Sequence, residues 1–334
     1  MQISTIRVGE GLAFAESLPL CLEGILAAAG AQTRYDELNC ALGSSFAVCA
    51  RRGDTTPGEW ASLARDTHLA DAAALFGVRV RDLHPCCAAD GLAAAPEYQE
   101  HFVDSYVPLI RGSLESGEAV LAWRGWAGKL GVQWGVLTGG TDGGLGLEGV
   151  VPGAEKPVPL TSAALQCYVV EAVAPRVPDS AEVLRCGVEA VARLTEHAAS
   201  SSTGLATGVD AYDCWAASLD AEGSAAVSPV HAAFAGNVVG NREAGIRFLG
   251  ALRNLAAGGL TREIGGLLTS CETTAGLLKQ LIGTVESGAA DARRQALGQL
   301  GRVQSAERET ADRLGDLRRV LCRHTALSQG QGRC

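Results

Sequence analysis

Ten of the eleven prolines lie at or before Pro178 and only Pro229 lies beyond it, so the two halves of this 334-residue chain obey different backbone rules. Proline removes a backbone donor and clashes with the preceding helical turn, which confines long uninterrupted helices to the stretch after Pro178. Charge divides at the same point, with 12 Lys or Arg against 20 Asp or Glu up to Pro178 and 16 against 17 after it. Residues Tyr168 to Val173 have the composition of a strand. Pro175 and Pro178 end it, and Asp179 with Glu182 three residues later forms the opening of a helix. The expected organisation is an α+β domain over 1–178, a helical bundle domain over 179–325 and a loose tail over 326–334.

Within the first half, helical spacing is expected for Ser17 to Ala29, stopped by Gly30, then for Tyr35 to Leu42, Gly58 to Phe76 and Tyr98 to Leu114, the last broken at Pro108. Strands are expected at Val78 to Leu83, Glu118 to Trp123, Val132 to Thr138, Leu145 to Val150 and Leu165 to Val173, giving a mostly antiparallel sheet. Helices are expected in the second half at Ser180 to His197, Val209 to Leu219, Val230 to Ala256, Thr261 to Glu286 and Ala290 to Arg323. In the last of these Leu297, Leu300, Leu314, Leu317 and Leu321 form an apolar stripe, with Arg302, Glu307, Glu309 and Arg313 assigned to the other faces.

Composition narrows the function. A net charge of −9 repels phosphate backbones, so nucleic acid is not an expected partner. The longest apolar stretch, Ala119 to Leu137, is interrupted by Arg124 and Lys129 and falls short of a membrane span. Eleven cysteines, with no C-x-x-C pair and no charged-then-apolar leader, are the pattern of a reduced, cytoplasmic protein. His84-Pro85-Cys86-Cys87 clusters one imidazole with two thiols, but adjacent cysteines poorly fit one tetrahedral ion and no further ligand pair is present, so no metal or other cofactor is expected. The Gly139 to Gly144 run has no following helix and reads as a hairpin turn.

The stretch Ser17-Leu18-Pro19-Leu20-Cys21-Leu22-Glu23-Gly24-Ile25-Leu26-Ala27-Ala28-Ala29-Gly30 resembles the nucleophile helix of papain-like peptidases of the bacteriocin-processing kind. Tyr35 to Leu38 and Gly43-Ser44-Ser45-Phe46 look like the next helix and glycine turn of the butirosin biosynthesis protein H family, which shares that fold. Gly131 to Gly139 is similar to the family strand that begins with the catalytic His, and Asp142 follows where the chain turns. Asp210 to Leu219 looks like the Tyr-x-x-Trp helix of the family's helical domain. The resemblance implies a papain-like cysteine-peptidase fold followed by an all-α bundle. It also implies that Ser17 stands at the nucleophile position and Gln133 at the base position, with Asp142 beside them.

A serine without a base is a poor nucleophile, and glutamine has no proton-accepting nitrogen, so the positions are degenerate. Cys21, one turn after Ser17, is the alternative nucleophile, although it shares a stripe with Leu18, Ile25 and Ala28 and so fits core packing. Trp123, Trp126, Trp134 and Trp215 fit core positions too, or together the wall of a ligand cleft. The expectation is therefore a catalytically degenerate module that binds a small molecule or a protein partner. The alternative is an acyltransferase resembling the butirosin protein, with Cys21 or Ser17 as nucleophile.

Overall fold

The computed structural model describes residues 3, 5–9, 15–51, 68–83, 96–128, 133–142, 144–200, 204–222, 227–255 and 259–330. The His84 to Cys87 cluster and most of the helix expected from Gly58 lie outside them. The chain divides into two compact units, one made of Met1–Leu38 and Leu69–Pro178, the other of Asn39–His68 and Asp179–Cys334. An α+β unit is thus joined by sequence to an all-α bundle, and residues 39–68 group with the helices.

The first unit holds helix α1 (Ser17–Ala28) and the start of α2 (Tyr35–Ala41), then α3 (Leu69–Leu75), strand β2 (Val78–Asp82), α4 (Pro96–His101) and α5 (Val107–Glu115). Strands β3 (Ala119–Trp123), β4 (Trp134–Gly139), β5 (Glu148–Val150), β6 (Val158–Pro159) and β7 (Gln166–Val173) follow. They form one sheet in the order β2-β7-β3-β4-β5-β6, with every described pairing antiparallel. A π-helical turn over Phe102–Tyr106 joins α4 to α5, and Pro108 sits in the first turn of α5. That is how the break expected at Pro108 is accommodated: wider winding just upstream absorbs the backbone partner that proline cannot bond.

Side chains alternate across the sheet. Val120, Ala122, Leu137 and Val169 face Tyr98, Phe102, Val107 and Ile110 of the α4–α5 arm in one core cluster. The opposite set, including Leu121, Trp123, Trp134 and Val136, is buried as well, and α1 packs against β4. At the β2 edge, Glu171 pairs with both Arg79 and Arg81, at 3.1 and 2.8 Å, placing charge on an edge open to solvent.

The second unit contains β1 (Cys49–Arg51), α6 (Ser180–Ser200), β8 (Leu205–Thr207), α7 (Val209–Ala221), α8 (Pro229–Arg253), α9 (Gly259–Glu286) and α10 (Ala292–Gly330). The Asp179 capping box forms as the sequence predicts: Asp179 Oδ1 accepts from the Ala181 N–H at 2.6 Å, and Glu182 accepts from the Asp179 N–H at 3.3 Å. Helix α8 packs on α9 and α9 on α10. Their core gathers Trp215, Phe234, Val238, Leu278, Leu300 and Val303. Two features differ from expectation. Residues 49–51 and 205–207 pair as a small antiparallel sheet. And α10 continues to Gly330, past the Arg323 end expected for it and into the segment expected to be a loose tail, no proline or glycine standing between Arg323 and Gly330 to stop it.

Candidate functional site

Ser17 is the first helical residue of α1, and Glu16 holds the cap position without a side-chain cap bond. The serine hydroxyl, freed from capping, instead accepts the Trp134 backbone N–H at 2.9 Å. That contact ties the start of α1 to the start of β4, at the peptide unit linking Gln133 to Trp134. Gln133 uses its own carbonyl to accept the Trp126 indole N–H at 3.1 Å and the Arg124 backbone N–H at 3.1 Å. Trp126 can reach that carbonyl because Gly135 leaves room for its ring: a Cβ there would lie 2.5 Å from it. Arg124 adopts φ 68°, a left-handed conformation costly for a residue with a Cβ, and its guanidinium lies 5.0 Å from the Trp123 ring centre. Burial lowers its pKa from the ordinary guanidinium value.

Around this corner, Trp134 stacks between Trp123 and Tyr168, with ring centres 6.4 and 5.7 Å away. The Trp134 indole N–H is buried and has no acceptor among the described residues. An unsatisfied buried donor of this kind costs roughly 1–3 kcal/mol. Behind Ser17, the Glu16 N–H donates to the Tyr35 hydroxyl at 2.8 Å, and Glu23 accepts the Tyr35 N–H at 3.1 Å, fastening α1 to the start of α2. Burial raises the Glu23 carboxyl above its usual range, with the Tyr35 N–H opposing and Asp36 reinforcing the shift.

The remaining expected site residues fall as follows. Cys21 is fully enclosed, and burial drives its thiol far above the ordinary thiol range, which suppresses the thiolate. Asp142 is exposed in the turn after β4. All four tryptophans are buried in the cores of their own units, so none presents a ring to solvent. Trp215 belongs to the helical unit, where it stacks on Tyr212, meets Phe234 edge-on and donates its indole N–H to His231 Nδ1 at 2.9 Å. Among the described histidine side chains, His68 bonds the Leu42 carbonyl, His101 meets Ser105, and His231 bridges Trp215 and Glu222. None of those bonds reaches Ser17 or Cys21.

A second polar constellation, in the helical unit, escaped the sequence reading. Arg242 of α8 is fully buried and pairs with Glu307 of α10, itself 3% exposed. The guanidinium also donates to the Ser45 carbonyl at 2.7 Å and the Phe46 carbonyl at 3.0 Å. Tyr212 donates to the other Glu307 oxygen at 3.4 Å. Burial raises the Glu307 carboxyl, and the Arg242 charge pulls it back. Glu307 was expected on an outward face; it lies instead on the buried stripe. Beside it opens a cavity of about 490 Å³, lined by Phe46, Val48, Val188, Leu194, Val209 and Leu314 among others.

Among the described residues no three His, Cys, Asp or Glu side chains converge on a metal-sized position, and no helix is long and apolar enough to cross a membrane. No family model matches the chain, and no curated protein matches it in sequence.

Proposed function

We propose that the chain is a binding module built on a catalytically degenerate papain-like domain, with Ser17 and Gln133 at the inherited nucleophile and base positions. The observation that carries this reading is the Ser17 hydroxyl, which serves as a structural acceptor for the Trp134 amide and has no imidazole bonded to it among the described residues. A nucleophilic hydroxyl needs a base to take its proton, and a sealed thiol cannot substitute for one. Without a base bonded to Ser17 among the described residues, and with the Cys21 thiol sealed, binding is the role this reading leaves to the domain.

Native labelling with a thiol-directed electrophile at neutral pH, mapped by mass spectrometry, tests the proposal. Exposed Cys322 should react first and Cys21 should stay unmodified until the chain is unfolded. A fluorophosphonate should likewise leave Ser17 untouched. Stoichiometric modification of Cys21 ahead of Cys322, or of Ser17, would overturn the degenerate reading in favour of an acyltransferase.

A further inference from the structure

The cavity beside Glu307 lies wholly within the helical unit and owes nothing to the papain-like reading of the other unit. We propose that it is a binding site for a small amphipathic amine, its apolar body held by the aliphatic wall and its protonated nitrogen donating to carboxylates of the lining. A volume of about 490 Å³ suits a small organic molecule, since such sites span roughly 300–1,000 Å³. Val48, Val188, Leu194, Val209 and Leu314 give its wall apolar surface, which favours a hydrocarbon body over water.

The polar groups select the head. Among the described residues that line it, Glu196, Asp210 and Glu307 are acidic and Arg318 is basic. That cation is already paired with Glu189 through two hydrogen bonds of 2.9 and 2.8 Å. Behind the wall, Arg242 pairs with Glu307 and donates to the carbonyls of Ser45 and Phe46, its buried Nε making no hydrogen bond. Glu307 keeps acceptor capacity of its own. A carboxylate offers about four lone-pair directions, and Glu307 receives one donor on each oxygen, Tyr212 only at 3.4 Å. A cationic nitrogen therefore finds a charge-assisted acceptor in Glu307 within a lining of acidic excess, whereas an anionic head meets three acidic residues against the one Arg318, whose charge Glu189 already balances.

Matched ten-carbon probes separate these features. Decylamine, decan-1-ol and decanoate, each below its aggregation concentration, would be titrated calorimetrically into the full chain, into Ala311→Trp and into Ala192→Leu. Both alanines line the cavity and neither is fully buried, so the larger side chains fill it from the mouth. Decylamine should bind at one site per chain, decan-1-ol about tenfold more weakly, and decanoate without saturation. Each filling variant that keeps the wild-type melting midpoint should lose decylamine affinity by about tenfold or more. The proposal is overturned if decylamine does not saturate, if decanoate binds as tightly, or if both filling variants bind decylamine like the wild type.

Discussion

Glu307 occupies a position that hydrophobic periodicity reserves for an apolar side chain, four residues after Val303 and seven before Leu314, both buried on the same side of α10. Arg242 does likewise in α8, between buried Val238 and Phe248. Each is a charge at a core-spaced helix position, a signal that the outward assignment of Glu307 passed over, and nothing local says that the two meet. Because the pair is buried, removing one member strands the other. Arg242→Met should lower the unfolding free energy by about 3–5 kcal/mol. Adding Glu307→Leu should recover part of that loss, the Ser45 and Phe46 carbonyls still lacking their donor. Urea unfolding of the single and double variants measures the coupling; purely additive losses would show that the pair does not act as a unit. Ser17 teaches the converse lesson. A serine opening a helix reads as a cap, and only the arrival of β4 diverts its hydroxyl to the Trp134 amide.

Between elements, approach distance decides what a residue is worth. Gly187 in α6 lies so close to the chain before β1 that a Cβ would stand 2.1 Å from the Cys40 carbonyl oxygen. Gly276, in the middle of α9, would place a Cβ with nothing within 4 Å. Helix propensity treats the two alike and favours alanine at both by about 1 kcal/mol. Packing separates them. Gly276→Ala should raise stability by about 0.5–1 kcal/mol, while Gly187→Ala should cost about 1–3 kcal/mol as backbone is pushed aside. Thermal melts of the two variants read opposite signs, and a stabilising Gly187→Ala would show that α6 does not make this contact. The strands and helices themselves were largely legible, since alternation in Val78 to Asp82 and the Asp179 capping box are local signals. The pairing of 49–51 with 205–207 was not, because three-residue strands carry too little pattern to announce partners so far apart in sequence.

Across the whole molecule, thiols sealed in both units contrast with the exposed Cys322. Cys21, Cys167 and Cys271 are all buried; burial raises every one of their thiols, that of Cys271 to about 12. Unfolded, each would ionise near its ordinary value of about 8.5. Above that pH the unfolded chain binds fewer protons than the folded one, so stability is fully present below about pH 8.5 and falls as pH rises toward the folded values. Each thiol contributes a slope of up to about 1.4 kcal/mol per pH unit in that window. Urea midpoints between pH 7.5 and 10.5 should decline, and Cys21→Ala should flatten the decline relative to wild type. An unchanged slope in the variant would mean that the Cys21 thiol ionises as freely in the fold as out of it.

Proline placement, periodicity and capping chemistry act over a few residues, so by itself the sequence determined the order of elements: an antiparallel α+β unit ending near Pro178, then long helices. What the tertiary structure alone decided are relations between residues far apart in the chain. It grouped 39–68 with the helices, turned Ser17 from cap to acceptor, joined Arg242 to Glu307 and opened the cavity beside them. The reason is physical: local propensity specifies a segment's shape, but a buried charge or an empty volume is defined only by the atoms that close around it from elsewhere.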